Sequence, residues 1–365
     1  MTTGSASTTY LLAGGGTAGH VNPLLAVADG LRERDPEASV LVLGTREGLE
    51  ARLVPQRGYE LLVVDKVPFP RRPNLAAMRF PLAWVRAVRQ VRRHLREHHV
   101  DVVAGFGGYA SAPAYVAARR EGVPYVVHEA NARPGLANML GARRAAVVGA
   151  VFPGTPLRGA QTVGMPLRRE IVDLDRAAMR AEAAAFFGLD PARPVLLVFG
   201  GSLGARRLNE TFAEAWESVV GAGWQLLHAA GERDEIVDPR HPDYRIVPYL
   251  DRMDLALALA DLVLSRAGAA TVSELSALGL PAVYVPYAVG NGEQALNAAA
   301  SVAAGAAQLV PDAEFTPARV REQIVPLLSD EDALAAMRSA AEARAAQARA
   351  GTHNVIAMLD RARQG

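Results

Sequence analysis

Residues 14–20 read Gly-Gly-Gly-Thr-Ala-Gly-His and directly follow a short apolar run. Glycines in such a turn admit a ligand close to the backbone, and the N–H groups of the turn and of the following helix attract an anion. His20 stands at the start of that helix. Histidine as a residue type titrates near neutral pH and suits proton abstraction. Packing, or a backbone hydrogen bond at the helix start, is its plainer role. The turn also fits the G-x-G-x-x-G dinucleotide pattern, which expects an acidic residue closing the second strand. Here that strand ends Leu43-Gly44-Thr45, and the nearest carboxylate, Glu47, lies further into the loop. The turn therefore reads as an anion cradle more than as a nicotinamide or flavin site.

Residues 265–274 read Ser-Arg-Ala-Gly-Ala-Ala-Thr-Val-Ser-Glu, again after an apolar run. Small residues at 267–270 leave room for a phosphate to reach a helix expected to start near Thr271. The dipole and N–H groups of that helix would hold a diphosphate without a metal. Glu274 then lies one turn in, within reach of ribose hydroxyls. T-x-x-E is also a capping-box pattern, and spacing alone does not separate the two. Residues 200–205, Gly-Gly-Ser-Leu-Gly-Ala, offer another anion-cradling turn. The loop 290–294, Gly-Asn-Gly-Glu-Gln, carries side chains suited to sugar hydroxyls or simply to water.

Short β-rich runs alternate with helical patterns, which predicts an α/β architecture with parallel sheets. Strands are expected at 10–13, 40–43, 61–64, 102–104, 125–127, 195–199, 224–228, 245–247, 262–264 and 282–285. A strand–glycine turn–helix unit opens twice, at 11–16 and again at 197–202, half a chain apart. That repetition predicts two doubly wound, Rossmann-like domains, 1–163 and 164–347, with Gly164 and Pro166 punctuating the join. An Ala/Arg/Glu-rich tail from 333 onward is helical by propensity.

The chain has 365 residues, half of them apolar, and no cysteine. Disulfide scaffolds, thiol nucleophiles and cysteine-ligated metals are excluded. The first nine residues lack the basic and apolar regions of a signal peptide, and no uncharged apolar stretch reaches about 18 residues. A cytoplasmic location, with or without a surface anchor, is the expectation. The net charge of +1 conceals an asymmetry: residues 1–168 hold 21 cations and 12 carboxylates, residues 169–365 hold 18 and 26. A basic half of this kind suggests an anionic partner. Lys66 to Arg96 contains nine cations and no carboxylate. Within it, 82–96 reads as a surface helix, with Trp84, Val88, Val91 and Leu95 on one face and Arg86, Arg89, Arg93 and Arg96 on another. Before it, Phe69, Leu75, Met78 and Phe80 stand among Arg71, Arg72, Arg79 and several prolines. That mixture suits peripheral contact with an anionic membrane surface. Nucleic acid is the weaker alternative, because no recognisable nucleic-acid-binding signature is present.

Taken together, residues 14–23, 107–113, 128–131, 200–206 and 265–274 resemble, in order and spacing, the motifs of the MurG family of bacterial UDP-N-acetylglucosamine transferases. Five such motifs span about 260 residues. The resemblance implies a GT-B glycosyltransferase with two Rossmann-like domains facing a central cleft. Its final helix, about 348–365, is expected to pack back on the first domain. The implied reaction is inverting, metal-independent transfer of GlcNAc from UDP-GlcNAc to the C4 hydroxyl of lipid-linked MurNAc-pentapeptide (lipid I to lipid II) in peptidoglycan synthesis. No cofactor is implied, UDP-GlcNAc being a substrate. A peripheral position on the cytoplasmic face of the cell membrane follows, and with it contact with other cell-wall synthesis proteins.

The resemblance also suggests roles. His20 matches the family's essential histidine and is the expected base, with Glu129 in reserve. Glu274 resembles the ribose ligand, and Leu250 the residue whose backbone reads uracil. Ser202, Ala269, Ala270 and Thr271 resemble diphosphate contacts. Gln294 and Asn131 resemble GlcNAc contacts, and Arg168 an arginine at the donor site. Thr17, Ala18 and Gly19, with Gly107, Gly108 and Tyr109, would face the acceptor and its phosphates. Phe69, Arg71, Arg72, Leu75, Met78, Arg79, Phe80 and Trp84 match the membrane-association surface in position. The chain departs from the family's frequent residues at Ala18, Ala130, Met165 and Glu293. Competing expectations are a related transferase acting on a soluble natural product, a UDP-GlcNAc 2-epimerase of the same fold, and a non-enzymatic nucleotide-binding scaffold.

Overall fold

The computed structural model describes residues 7–70, 75–201, 205–231, 236–287 and 292–365, with the backbone alone at 75–77. The first sheet has seven parallel strands. These are β1 (Thr9–Ala13), β2 (Ser39–Gly44), β3 (Glu60–Val63), β4 (Val102–Gly105), β5 (Tyr125–Glu129), β6 (Val147–Ala150) and β7 (Ala160–Thr162), in the lateral order β3-β2-β1-β4-β5-β6-β7. All of β1 is buried, and its pleat sends Tyr10 and Leu12 to one core and Leu11 and Ala13 to the other. A strand covered on both faces reads as an unbroken apolar run, which is why the sequence shows no alternation there.

On one face, Val21, Leu24, Val27 and Leu31 of the helix Ala18–Arg34 pack with Val355, Met358 and Leu359 of the C-terminal helix Gly351–Gln364. Glycines permit that close crossing. A Cβ at Gly30 would meet Thr352 at 2.9 Å, one at Gly351 would meet the Met165 carbonyl oxygen at 2.1 Å, and one at Gly149 would meet Met358 at 2.7 Å. The other face is covered by Val88, Val91 and Leu95 of the helix Leu75–Glu97 and by Ala114, Tyr115 and Ala118 of the helix Ser111–Glu121.

The second sheet has six parallel strands, β8 (Val195–Phe199), β9 (Gln225–Ala229), β10 (Tyr244–Val247), β11 (Leu262–Ser265), β12 (Ala282–Tyr284) and β13 (Ala307–Leu309), in the order β10-β9-β8-β11-β12-β13. On one face, its core joins Leu196, Val198 and Leu264 to Leu208 and Phe212 of the helix Arg206–Gly221, and to Phe315 and Ile324. The chain divides into two compact units, Met1–Arg168 with Arg349–Gly365, and Arg169–Ala348. The sequence pattern sets the corresponding limits at 163/164 and 347/348.

Three strands carry no clear pattern in the sequence. β6 contains Gly149, β7 is a largely exposed edge strand of Ala-Gln-Thr, and β13 has three residues. Two helices start earlier than their patterns predict. The arginine-faced helix begins at Leu75 and runs through Pro81, so 75–81 is helical and not an irregular approach to a helix at 82. The helix expected near Thr271 is Ala269–Leu278, with Gly268 as its N-cap. Thr271 is therefore inside the first turn, and the Thr271–Glu274 capping box does not form. Gly268 takes the cap position at φ −64° and ψ 145°, with no side-chain cap bond.

Candidate active site

Each sheet reverses its strand order at one pair of neighbours, β1/β4 in the first unit and β8/β11 in the second. Open α/β sheets bind ligands beyond the carboxyl ends of such strands. Every glycine turn singled out above leaves one of these four strands.

In the first unit the two turns touch. Phe106 N donates to the Ala13 carbonyl at 2.8 Å, and the Ser111 hydroxyl lies 2.8 Å from the carbonyl oxygens of both Ala13 and Gly107. Gly107 and Gly108 have φ of +96° and +80°, and a Cβ on Gly108 would sit 2.3 Å from the Gly15 carbonyl oxygen. Only glycine lets these backbones meet. Gly16, Thr17 and Ala18 are exposed, Gly19 is half-buried, and the Thr17 N-cap makes no side-chain cap bond. The start of that helix is thus exposed and uncapped by a side chain, as a site for an anion requires. His20 is half-buried, with Nδ1 3.1 Å from the Gly15 carbonyl oxygen and 3.4 Å from Thr17 Oγ1. A carbonyl only accepts, so Nδ1 carries the proton and Nε2 presents the lone pair. Nε2 lies 3.0 Å from where a Cβ on Gly107 would be, so the missing side chain keeps that nitrogen open. Tyr109 is exposed, with Lys66 Nζ 5.0 Å from its ring centroid.

A carboxylate absent from the sequence-level reading holds this turn. Glu50 is fully buried; its Oε2 accepts from Gly16 N at 2.8 Å, and its Oε1 accepts from Thr45 N and Thr45 Oγ1, both at 2.9 Å. Cβ atoms on Gly15, Gly44 and Gly48 would fall 2.2, 2.4 and 2.0 Å from its side chain. Three glycines are therefore moulded around one carboxylate that serves backbone donors, and burial denies it any ribose. Glycines at 44 and 48 flanking the end of β2 were the only signal in the sequence.

Glu129 is similarly committed. Its carboxylate accepts from Asn131 N at 2.9 Å, Gly135 N at 3.0 Å and Asn138 Nδ2 at 2.9 Å, organising the loop after β5. Asn138, buried, also donates to the His128 carbonyl and accepts from the Tyr115 hydroxyl at 2.7 Å. Burial holds the Tyr115 phenol well above its ordinary pKa, so it remains a donor. Asn131 is half-buried, as is Arg168 at the end of the first unit's leading segment. His128 donates Nε2–H to the Gly164 carbonyl at 3.1 Å. Burial pushes its pKa down to about 4; the Gly164 bond opposes that shift and the charge of nearby His20 adds to it.

In the second unit Ala269, buried, and Ala270 and Thr271, half-buried, form the first turn of a helix that also carries half-buried Glu274. Arg266 braces the strand end behind that turn: its guanidinium donates to the Val285 carbonyl at 2.9 Å and pairs with Asp312, which also takes Arg207 at 3.1 Å. Asn297 Nδ2 donates to the Ala267 carbonyl at 3.2 Å. Gln294 is the second residue of the helix Glu293–Ala303, and its carboxamide oxygen accepts from Tyr287 N at 2.9 Å. Leu250 has a buried side chain between β10 and the helix Met253–Leu259. Ser202 lies outside the described residues; Gly201 before it has φ +97°.

Residues 10–150 match the glycosyltransferase family 28 N-terminal domain, and residues 195–352 match that family's C-terminal domain. The chain is 64% identical over 335 residues to the UDP-N-acetylglucosamine–N-acetylmuramyl-(pentapeptide) pyrophosphoryl-undecaprenol N-acetylglucosamine transferase of Clavibacter sepedonicus, covering 92% of this chain and 91% of that protein. It is 59% identical over 352 residues to the same-named enzyme of Leifsonia xyli subsp. xyli, covering 96% and 98%. Among solved structures it is similar to MurG of Acinetobacter baumannii, with a TM-score of 0.77, 28% identity and coverage of 97% and 99%. The chain belongs to the MurG family of glycosyltransferases.

Membership in the MurG family makes the fold GT-B, a pair of Rossmann-like domains. Of the residues expected to meet a membrane, Phe69, Phe80 and Trp84 pack on one another, with centroids 5.6–5.8 Å apart, and all three are only partly exposed. Phe80 and Trp84 rest against the core, so packing already engages these aromatics. Met78 is 77% exposed and Arg79 is exposed, as the pattern predicts. Leu82, 75% exposed, and Val85, 38% exposed, complete an apolar stripe with Met78 at helical spacing. Arg71 and Arg72 lie outside the described residues, as does the Leu75 side chain. No described helix is long and apolar enough to cross a membrane.

Proposed function

We infer that the chain transfers GlcNAc from UDP-GlcNAc to the C4 hydroxyl of lipid-linked MurNAc-pentapeptide, converting lipid I to lipid II. The names of its relatives and their high identity support the substrates. The observation that carries the mechanism is the placement of the His20 ring: Nδ1 lies 3.1 Å from the Gly15 carbonyl oxygen, which assigns it the proton, and Nε2 is open where two glycine turns meet. Nε2 takes the hydroxyl proton while the oxygen attacks the anomeric carbon. The bond from that carbon to the UDP oxygen breaks with its electron pair on UDP, inverting the centre to a β linkage. Developing charge on UDP is met by the N–H groups at Ala269–Thr271 and the dipole of their helix, with Ser202 assigned the same role and no metal required. Glu274 takes the ribose hydroxyls and the Leu250 backbone the uracil, with Gln294, Asn131 and Arg168 on the sugar and diphosphate. Thr17–Gly19 and Gly107–Tyr109 receive the acceptor side. Glu129 is assigned to loop organisation, since three N–H donors already occupy its carboxylate.

The enzyme works as a peripheral protein at the cytoplasmic membrane face, among other cell-wall synthesis proteins. The Met78–Leu82–Val85 stripe and its arginines, where anionic lipid headgroups would gather, support that placement. Radiolabelled UDP-GlcNAc incubated with the purified chain, lipid-linked MurNAc-pentapeptide and a chelator should label the lipid. An unlabelled lipid overturns this reading; UDP-GlcNAc epimerisation without acceptor points to an epimerase, and label that appears only with added metal overturns the metal-free mechanism.

A further inference from the structure

We propose that His94, Glu97 and His98 form a binding site for a divalent transition-metal ion of the zinc class. The three residues occupy the last turn of the helix Leu75–Glu97, which the bond from His98 N to the His94 carbonyl carries through His98. Spacings of three and four residues put them on one side of the helix. One ring nitrogen from each histidine and one Glu97 oxygen lie within 4.8 Å of one another. Ligands held 2.0–2.2 Å from one zinc ion are roughly 3.3 Å apart, a closure that side-chain rotation supplies.

His94 supplies the independent observation. Its Nε2 lies 3.3 Å from the Val63 carbonyl oxygen, so that nitrogen is the N–H donor. Its Nδ1, which then carries the lone pair, is buried and has no hydrogen-bond partner. A histidine anchored through one nitrogen to a carbonyl, with the other vacant, is the arrangement metal sites use to orient an imidazole. Surrounding charge permits a cation. Arg92 and Arg96 turn to Glu121 at 2.5 and 2.6 Å, and the Arg93–Glu97 pair, at 3.8 Å and exposed, is weak enough for a metal to replace. Two imidazoles and a carboxylate select zinc-like ions over magnesium or calcium, and a water would complete a tetrahedron.

Titration of the untagged chain with zinc chloride, followed by calorimetry, should show one bound equivalent, and cobalt(II) should give tetrahedral ligand-field absorption at the same stoichiometry. His94→Ala and His98→Ala should each weaken binding at least about tenfold. His99→Ala, altering the adjacent histidine outside the cluster, should leave binding unchanged. If His94→Ala fails to fold, Glu97→Gln and His98→Ala, at partly or fully exposed positions, still test the site. Undiminished binding in His98→Ala, or no heat and no cobalt spectrum with the parent chain, overturns the proposal.

Discussion

A neutral imidazole carries one proton, and at His20 the Gly15 carbonyl decides which nitrogen holds it. That carbonyl is itself held in place, because Glu50 binds the next residue's N–H and the glycine turn is moulded around its carboxylate. The proposed base and its support are thus two separable residues. His20→Ala should lower kcat by roughly 10²–10⁴-fold and leave the KM for UDP-GlcNAc nearly unchanged; turnover near that of the parent chain would remove His20 from the mechanism. Glu50→Ala strands two backbone donors and one hydroxyl, each bond to a charged acceptor being worth about 1.5–3 kcal/mol. It should lower both the melting temperature and kcat. Glu50→Gln keeps the shape and some of the acceptors, and should fall between. A Glu50→Gln enzyme with full kcat would mean that the turn keeps its form without the charge.

At the scale of elements, the helix Leu75–Glu97 does two jobs on two faces. Ala87, Val88, Val91 and Leu95 bury against the sheet, while Met78, Leu82 and Val85 face outward among arginines. Outward apolar side chains contribute little to folding, so substitutions there separate membrane contact from stability. Burying a leucine is worth about 1.5–3 kcal/mol, and a cation near an anionic surface roughly 1 kcal/mol. Leu82→Glu should therefore reduce co-sedimentation with anionic vesicles at least about tenfold at an unchanged melting temperature. Equal sedimentation of variant and parent would exclude this stripe as the contact. Trp84→Ala should instead lower the melting temperature, since Trp84 packs on Phe69, Phe80 and the core.

For the whole molecule, the return of the C-terminal helix sharpens the charge division. The first unit then holds 24 cations against 13 carboxylates and the second 15 against 25. A net positive unit carries the exposed stripe; in the negative one, backbone N–H groups and a helix dipole would hold an anionic donor. Each unit also buries one histidine in its sheet. His228 bridges Tyr244 and Asn209 at 2.9 and 3.0 Å, and burial pushes its pKa, like that of His128, down to about 4. Above pH 6.5 both histidines are neutral whether folded or not, and their contribution to stability is complete. Between pH 6.5 and 4 the unfolded chain binds protons that the folded chain refuses. Stability should fall by about 1.4 kcal/mol per pH unit for each histidine. Urea midpoints should drop steadily from about pH 6.5 to pH 5, and His228→Gln should flatten the drop in the second unit. Midpoints level across that window would contradict the assignment.

Strand, glycine turn and helix are contiguous in the chain, so the two sheets, their opening turns and the place of His20 at the start of the first helix were legible in the residues alone. Covered strands announce themselves as apolar runs, and a turn that must meet a phosphate announces itself as glycine. What remained hidden was set by partners far apart in sequence. Glu50 reaches Gly16 across 34 residues, Ser111 reaches Ala13 across 98, and Asn354 reaches the Val163 carbonyl across 191. The short strands β6, β7 and β13 exist because neighbouring strands offer them hydrogen bonds, not because of any pattern of their own. The same holds for the basic stretch. Its composition pointed to an anionic surface, but only packing showed that Phe80 and Trp84 turn inward while Met78, Leu82 and Val85 face out. Local backbone preference is written along the chain, whereas the choice among apolar side chains belongs to whichever surface the fold brings against them.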